Sequence, residues 1–266
     1  MIKVLAGAMK HPAHRTQAEF HQYWQHRHGP LFGKTPELRR YVQHHSLPEA
    51  YGGTPGPTLH GASMFWYDDL EVLRNPPTPS PKLADVIKPE DGDIFEWYVA
   101  SARYGRPEGI TLRDTVLADD RQLFDRLPDW PLDQKRTSIV ARERIIVDGP
   151  TTPGMVKVIW AFTRKPGLSL EEFQSHWYAV HGQQLGAKLP GMRRYVQNHT
   201  LAEAYAIRPM THDGWSEAWW DDLESLHRSR ASEAWARLSE DGQTLFSYPM
   251  SVVVARETII KDCASQ

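Results

Sequence analysis

Two short apolar runs, "IKVLAGAM" from Ile2 and "MVKVIWAF" from Met155, are rich in β-branched residues and end at Pro and Gly signals, so each predicts a buried strand. A helix follows in both places. Thr16 with Glu19, and Ser169 with Glu172, have the spacing of a capping box, in which hydroxyl and carboxylate satisfy the unpaired amides of a first helical turn. Phe20, Trp24 and His28, and likewise Phe173, Trp177 and His181, then recur every four residues and share one helix face. Gly29 and Gly182 come next and predict a left-handed C-terminal cap, which puts each histidine in the last turn. "RRYVQHHSL" alternates as a strand, with Arg39, Tyr41, Gln43 and His45 on one side and Arg40, Val42 and His44 on the other. "GASMFWY" and "GWSEAWW" predict a third strand, "DDLEVL" and "DDLESL" a second helix, and "TSIVARERIIV" and "MSVVVARETII" a fourth strand.

The pattern is written twice. "RRYVQHHSLPEAY" from Arg39 and "RRYVQNHTLAEAY" from Arg193 agree at ten of thirteen positions, and the flanking blocks recur in the same order. A period of roughly 150 residues is the size of one domain and too long for a solenoid repeat. We therefore expect two modules, 1–150 and 151–266, each β-α-β-β-α-β, the split ferredoxin-like plan of an α+β protein. Each antiparallel sheet carries two helices on one face and leaves the other bare. Pressing the two sheets together covers both bare faces and closes an eight-stranded barrel, one module acting for the other as a second subunit would in a homodimer.

Composition changes this picture little. The chain has 266 residues, 40% hydrophobic and 24% charged, with a net charge of −2, which leaves no electrostatic footprint for nucleic acid or an anionic membrane. The single cysteine, Cys263, excludes an intrachain disulfide and a cysteine zinc site and fits a reducing compartment. The apolar stretch at the N-terminus is too short for a signal peptide or a membrane span, so a cytoplasmic location is expected.

The blocks "F…YW…HGP", "LRRYVQ.H" and "GWSEAWWDDLE" resemble the EthD-type branch of the dimeric α/β-barrel superfamily, here as a tandem fusion. The resemblance covers both halves apart from an insertion of about 74–110 in the first. It implies the fold and a small-molecule pocket between helices and sheet. It leaves the reaction open, because barrels of this superfamily serve as decarboxylases, dehydratases, cyclases, isomerases, monooxygenases and haem enzymes. The insertion begins Pro-rich and then carries Phe95, Trp97, Tyr98 and Tyr104, which reads as a surface excursion, a lid, or a contact with a partner chain.

The repeat also filters the 13 histidines. Only His28 with His181, and His45 with His199, are held in both copies, whereas His44 is matched by Asn198. No carboxylate stands at ligand spacing beside either pair, so neither a metal nor another cofactor is expected. A histidine at the helix end facing a Tyr, Gln, His row is a plausible small-molecule site. His181 or His28 would be general acid or base, with Tyr195 or Tyr41 and Gln197 or Gln43 orienting a phenol or carbonyl oxygen beside His199 or His45. The competing reading is structural: the histidine caps its own helix, and Tyr and Gln satisfy each other. Glu217 stands opposite Met64 and shares a strand face with Trp215 and Trp219, where a carboxylate must be paired or protonated. Arg193 or Lys157 could pair with it as scaffold, or it could tune His181. An acidic residue is what the resemblance implies at that place, so the second half is expected to hold the working pocket. The 10 tryptophans, among them Trp24 and Trp177 on the helices, point to a flat aromatic ligand or serve as core filler.

No Rossmann, P-loop or "GxSxG" pattern occurs. The expected function is a cofactor-independent, lyase-type enzyme acting on a small aromatic or phenolic compound. The alternatives are an oxygenase, cofactor-free or with haem on His181 or His28, and a non-catalytic binding module. A homodimer remains open.

Overall fold

The structure is a computed structural model that describes residues 1–14, 16–53, 56–75, 80–102, 109–124, 138–207 and 210–263. Eight strands form a closed antiparallel barrel: β1 (Ile2–Ala8), β2 (Arg40–Ser46), β3 (Gly61–Tyr67), β4 (Ser138–Val147), β5 (Val156–Phe162), β6 (Met192–Thr200), β7 (Gly214–Trp220) and β8 (Ser251–Asp262). Around it they run β1-β3-β2-β8-β5-β7-β6-β4. The halves are joined by hydrogen-bonded edges, β2 to β8 and β4 to β6, so the sheets continue into each other and no sheet edge is left open. Each join carries one register shift, at Tyr41/Val42 and at Ile145/Val147.

The helices are α1 (Gln17–Tyr23), α2 (Gly29–Gly33), α3 (Glu71–Arg74), α4 (Leu83–Val86), α5 (Asp93–Ala102), α6 (Leu112–Leu123), α7 (Leu170–His176), α8 (Leu223–Arg230) and α9 (Glu233–Leu245). Both capping boxes form: Thr16 Oγ1 accepts from Glu19 N and Ser169 Oγ from Glu172 N, while each glutamate accepts from the amide of its cap residue. The expected glycine caps do not form. Gly29 is right-handed helical, and neither it nor Gly182 has a positive φ; the helices run on through π-helical turns at Trp24–His28 and Trp177–Leu185. Close approach explains these glycines. A Cβ on either would lie 2.6 Å from the side-chain nitrogen of Gln43 or Gln197 on the strand beneath.

The insertion packs as part of the protein. Leu83, Ile87 and Ile94 join Leu31, Leu112 and Val116 in one buried cluster, with Phe95, Trp97 and Tyr98 at its edge. Tyr104 lies outside the described residues.

Alternation along the strands sorts the side chains between the barrel interior and the helix layer. Inside, Leu5, Met64, Ile159, Trp215 and Val253 belong to one apolar cluster. Beside it lies a buried ionic network. The Glu217 carboxylate pairs with both Lys3 and Lys157 and accepts from Asn198 Nδ2 at 2.7 Å. Lys3 also pairs with Glu143 at 2.8 Å and Lys157 with Glu257 at 2.9 Å. Lys157 Nζ donates to His44 Nε2 at 2.8 Å, so that imidazole is an uncharged acceptor. Burial alone would raise the pKa of Glu217, but the two ammonium groups, Lys157 foremost, reverse this and hold it ionised.

Removing one partner of such a pair leaves an uncompensated charge at a cost of about 3–5 kcal/mol. Glu217→Gln should destabilise the fold by that order in urea unfolding. Burial lowers His44 to about 4, and lowers His45 and His199 to about 3. Their unfolded pKa is about 6.5, so the unfolded chain binds protons first as the pH falls. Stability should therefore be complete above pH 6.5 and drop below it, by up to about 1.4 kcal/mol per histidine per pH unit. A thermal midpoint flat from pH 7 to 4 would contradict this.

Candidate functional site

In a π-helical turn the residues five apart lie over one another. In the second half these are His176 and His181, and both reach Asp241 of α9. His181 Nδ1 lies 2.8 Å from Asp241 Oδ2, and His176 Nε2 lies 2.8 Å from Oδ1. A carboxylate only accepts, so both rings donate to it. The second nitrogen of His181, Nε2, has no hydrogen-bond partner among the described residues, and the ring forms part of the wall of a cavity of about 450 Å³. Burial lowers the His181 pKa and Asp241 only partly offsets this, so at neutral pH the ring is uncharged, with the Nε2 lone pair available.

The cavity lies between α9 and the outer face of the sheet. Trp160, Trp235, Phe246 and Ala218 make apolar walls, and Tyr195, Ser216 and Gln243 bring polar groups. Among the described residues no Lys, Arg, Asp or Glu lines it. Tyr195 OH accepts from Gln197 Nε2 at 3.1 Å, and burial raises its pKa, so the phenol keeps its proton.

The other expected site residues fall elsewhere. Glu217, Trp215 and Trp219 occupy the inner face of β7, whereas Ser216 and Ala218 on its outer face meet the cavity. The expectation that Glu217 tunes His181 is corrected accordingly: period-two alternation turns it into the barrel, onto Lys157 and Lys3. Gln197 donates to Trp177 O at 2.7 Å, His199 bonds Gln197 Oε1 at 3.0 Å, and the His199 ring stacks on Trp177 with centroids 4.4 Å apart. These three clamp the helix to β6 and do not line the cavity.

The first half repeats the clamp with different residues around it. Gln43 donates to Trp24 O and to Tyr41 OH, both at 3.0 Å, His45 bonds Gln43 at 2.9 Å, and its ring stacks on Trp24. His28 Nδ1 meets Asp119 of α6 at 2.9 Å, as His181 meets Asp241. Its Nε2, however, lies 3.5 Å from Asp120. Tyr41, fully buried, pairs across the sheet with Phe65, their rings 4.6 Å apart, where Tyr195 pairs with Ala218. Phe32 fills the remaining space against Phe65 at 4.7 Å. Around His28 and Tyr41, rings and a carboxylate thus stand where the second half has Ala218 and Gly242.

Asp119 and Asp241 were not anticipated. The signal was present: aligning "LADDRQLF" with "LSEDGQTLF" on Phe124 and Phe246 puts an aspartate five residues before each, and Gly242 opposite Asp120. Both phenylalanines pack edge-on to their histidines, with centroids 5.4 and 5.0 Å apart. The insertion hid the match by moving this helix away from the repeated blocks.

Among the described residues no group of three or more His, Cys, Asp or Glu has the arrangement of a metal site. Haem also fits poorly. The cavity has no Lys or Arg to receive propionates, and His28 has both nitrogens facing carboxylates.

The EthD domain profile matches residues 13–90 and 165–247, together more than half of the chain. Curated protein sequences contain no match. Among solved structures, an anthrone oxidase-like protein is similar over 98% of this chain and 94% of its own, at 12% identity and a TM-score of 0.55, which supports the same fold. An EthD family protein from Bacillus halodurans aligns 99% of its length with 39% of this chain, at 20% identity and a TM-score of 0.34. SnoaB, a cofactor-independent oxygenase from Streptomyces nogalater, aligns 96% of its length with 40% of this chain, at 21% identity and a TM-score of 0.30.

If Ala218 keeps the cavity open, Ala218→Phe should abolish uptake of an apolar fluorescent dye while leaving the circular dichroism spectrum unchanged. Dye binding equal to that of the parent chain would show that the dye, and the cavity, lie elsewhere.

Proposed function

The chain belongs to the EthD domain family, and from that premise we propose that it is a cofactor-independent acid–base enzyme acting on a small, uncharged aromatic or phenolic compound. The observation that carries this reading is the His181–Asp241 dyad, whose Nε2 has no hydrogen-bond partner among the described residues and stands beside a mainly apolar cavity. His181 Nε2 takes a proton from carbon or hydroxyl. Asp241 holds the ring in the required tautomer and stabilises the imidazolium that forms. Tyr195, still protonated, donates to the oxygen on which negative charge develops. The absence of lining cations disfavours an anionic substrate, and the Trp160 and Trp235 walls favour a flat one. In this reading the modules are 1–150 and 151–266, and the second holds the working cavity.

The deprotonated substrate has two fates. Expulsion of a leaving group from the adjacent carbon makes the enzyme a lyase, with Tyr195 or the His181 imidazolium as the acid the reaction requires. Reaction of the carbanion with dioxygen makes it a cofactor-free oxygenase. The fold shared with an anthrone oxidase-like protein brings in this second reading. Oxygen dependence separates the two: product formed equally without air supports the lyase, and product lost without air the oxygenase. Ligand bound with no product in either gas leaves a binding protein.

His181→Ala should lower kcat/KM by about 10²–10⁴-fold with the fold intact. Because the base form is needed and its pKa is lowered, activity should persist below pH 6.5 and fall only as the pH drops through that lowered value. Full activity in the alanine variant would remove the proposal.

A further inference from the structure

Asp241 carries two imidazoles, one on each oxygen, and the two differ in access. The side chain of His181 is 9% exposed and that of His176 is 41% exposed. The π-helical turn at Trp177–Leu185 brings both onto one carboxylate. In the first half Tyr23 stands where His176 does, also five residues before the histidine, and its hydroxyl donates to Asp119. Burial and Asp119 push that phenol far above neutrality, so Tyr23 holds the carboxylate as a fixed neutral donor. The half with the His181 cavity has an imidazole at this position, and the other half has a phenol.

We propose that His176 is a positioning residue for His181: through Asp241 the two imidazoles titrate as a coupled pair, and the charge on His176 sets the basicity of His181. The inference rests on the reading of His181 as the base. With His176 neutral, the whole negative charge of Asp241 favours the His181 imidazolium. With His176 protonated, its charge offsets the same carboxylate and His181 gives up its proton more readily. Two sites on one carboxylate titrate with apparent midpoints that belong to the pair. Burial and Asp241 bear on the His181 ring more strongly than His176 does, but both stay the same when His176 is replaced. Asp241 faces it from α9 and Tyr195 from β6, while Phe162 and Phe246 present only rings. On the neighbouring strand, Arg144 of β4 stacks on Tyr178 at 4.9 Å.

The test is a pH titration of the full chain, labelled with ¹³C at histidine Cε1 and followed by NMR from pH 4 to 9. His181 is assigned from the signal missing in His181→Gln. In the parent chain the His181 curve should be broader than a one-proton step. In His176→Gln, which keeps a donor but cannot titrate, it should become a single step with its midpoint higher by roughly 0.5–1 unit. His176→Tyr, which restores the arrangement of the first half, should behave in the same way. An unchanged His181 curve in both variants overturns the coupling. The kinetic arm is separate. If the NMR shift appears but the acid limb of kcat/KM stays in place, the coupling stands and the assignment of His181 as base fails.

Discussion

The hydrogen bond from a strand glutamine to a helix carbonyl, Gln197 to Trp177 O and Gln43 to Trp24 O, is the contact on which the rest of the site depends. A carbonyl in a π-helical turn is spared its usual partner four residues on and can accept from outside. The strand supplies that donor, but only if the helix comes very close, which is why Gly182 and Gly29 sit over the glutamines. The wide turn then changes the spacing. Residues five apart, in place of four, share the face turned towards the next helix, and that face carries His181 to Asp241 and His28 to Asp119. One polar clamp thus fixes helix height, turn type and imidazole direction together.

From this common frame the two halves diverge at a few positions. Beside the imidazole, Phe65 stands against Ala218 and Asp120 against Gly242, and in the second half the two small residues line the cavity. Each swap is tolerated because it sits in the helix layer, where one half can repack without disturbing the other. The barrel interior does not permit that independence. There Met64 stands opposite Glu217, and the Glu217 carboxylate is shared by the lysines of both halves, each of which also has a carboxylate of its own half, Glu143 or Glu257. With Lys3 and Lys157 both buried, the Glu217 carboxylate ties the charge balance of the first half to that of the second.

Much of the fold could be read from the chain itself, since duplication, strand alternation and capping boxes are local patterns with local causes. The repeat separated His181 and His28 from the other histidines, and the row of Tyr195, Gln197 and His199 was correctly put on one strand face. The glycines were misread because sequence distinguishes poorly between a left-handed cap and a close approach; both demand a missing Cβ. Glu217 was misread for a different reason. Alternation assigns a residue to a face but does not say which face meets the cavity and which the barrel axis, and only closure of the sheet through β2–β8 and β4–β6 decides that.

Sequence alone determined what is periodic or repeated: the order of elements, the helix starts, and the two pairs of imidazoles retained in both copies. Tertiary structure decided what depends on distance between segments far apart in the chain. Asp241 comes 60 positions after His181 and Asp119 comes 91 after His28, on helices whose repeat the insertion had put out of step. Whether a ring meets a carboxylate, another ring or open space is settled by packing across those separations, and no local pattern encodes it.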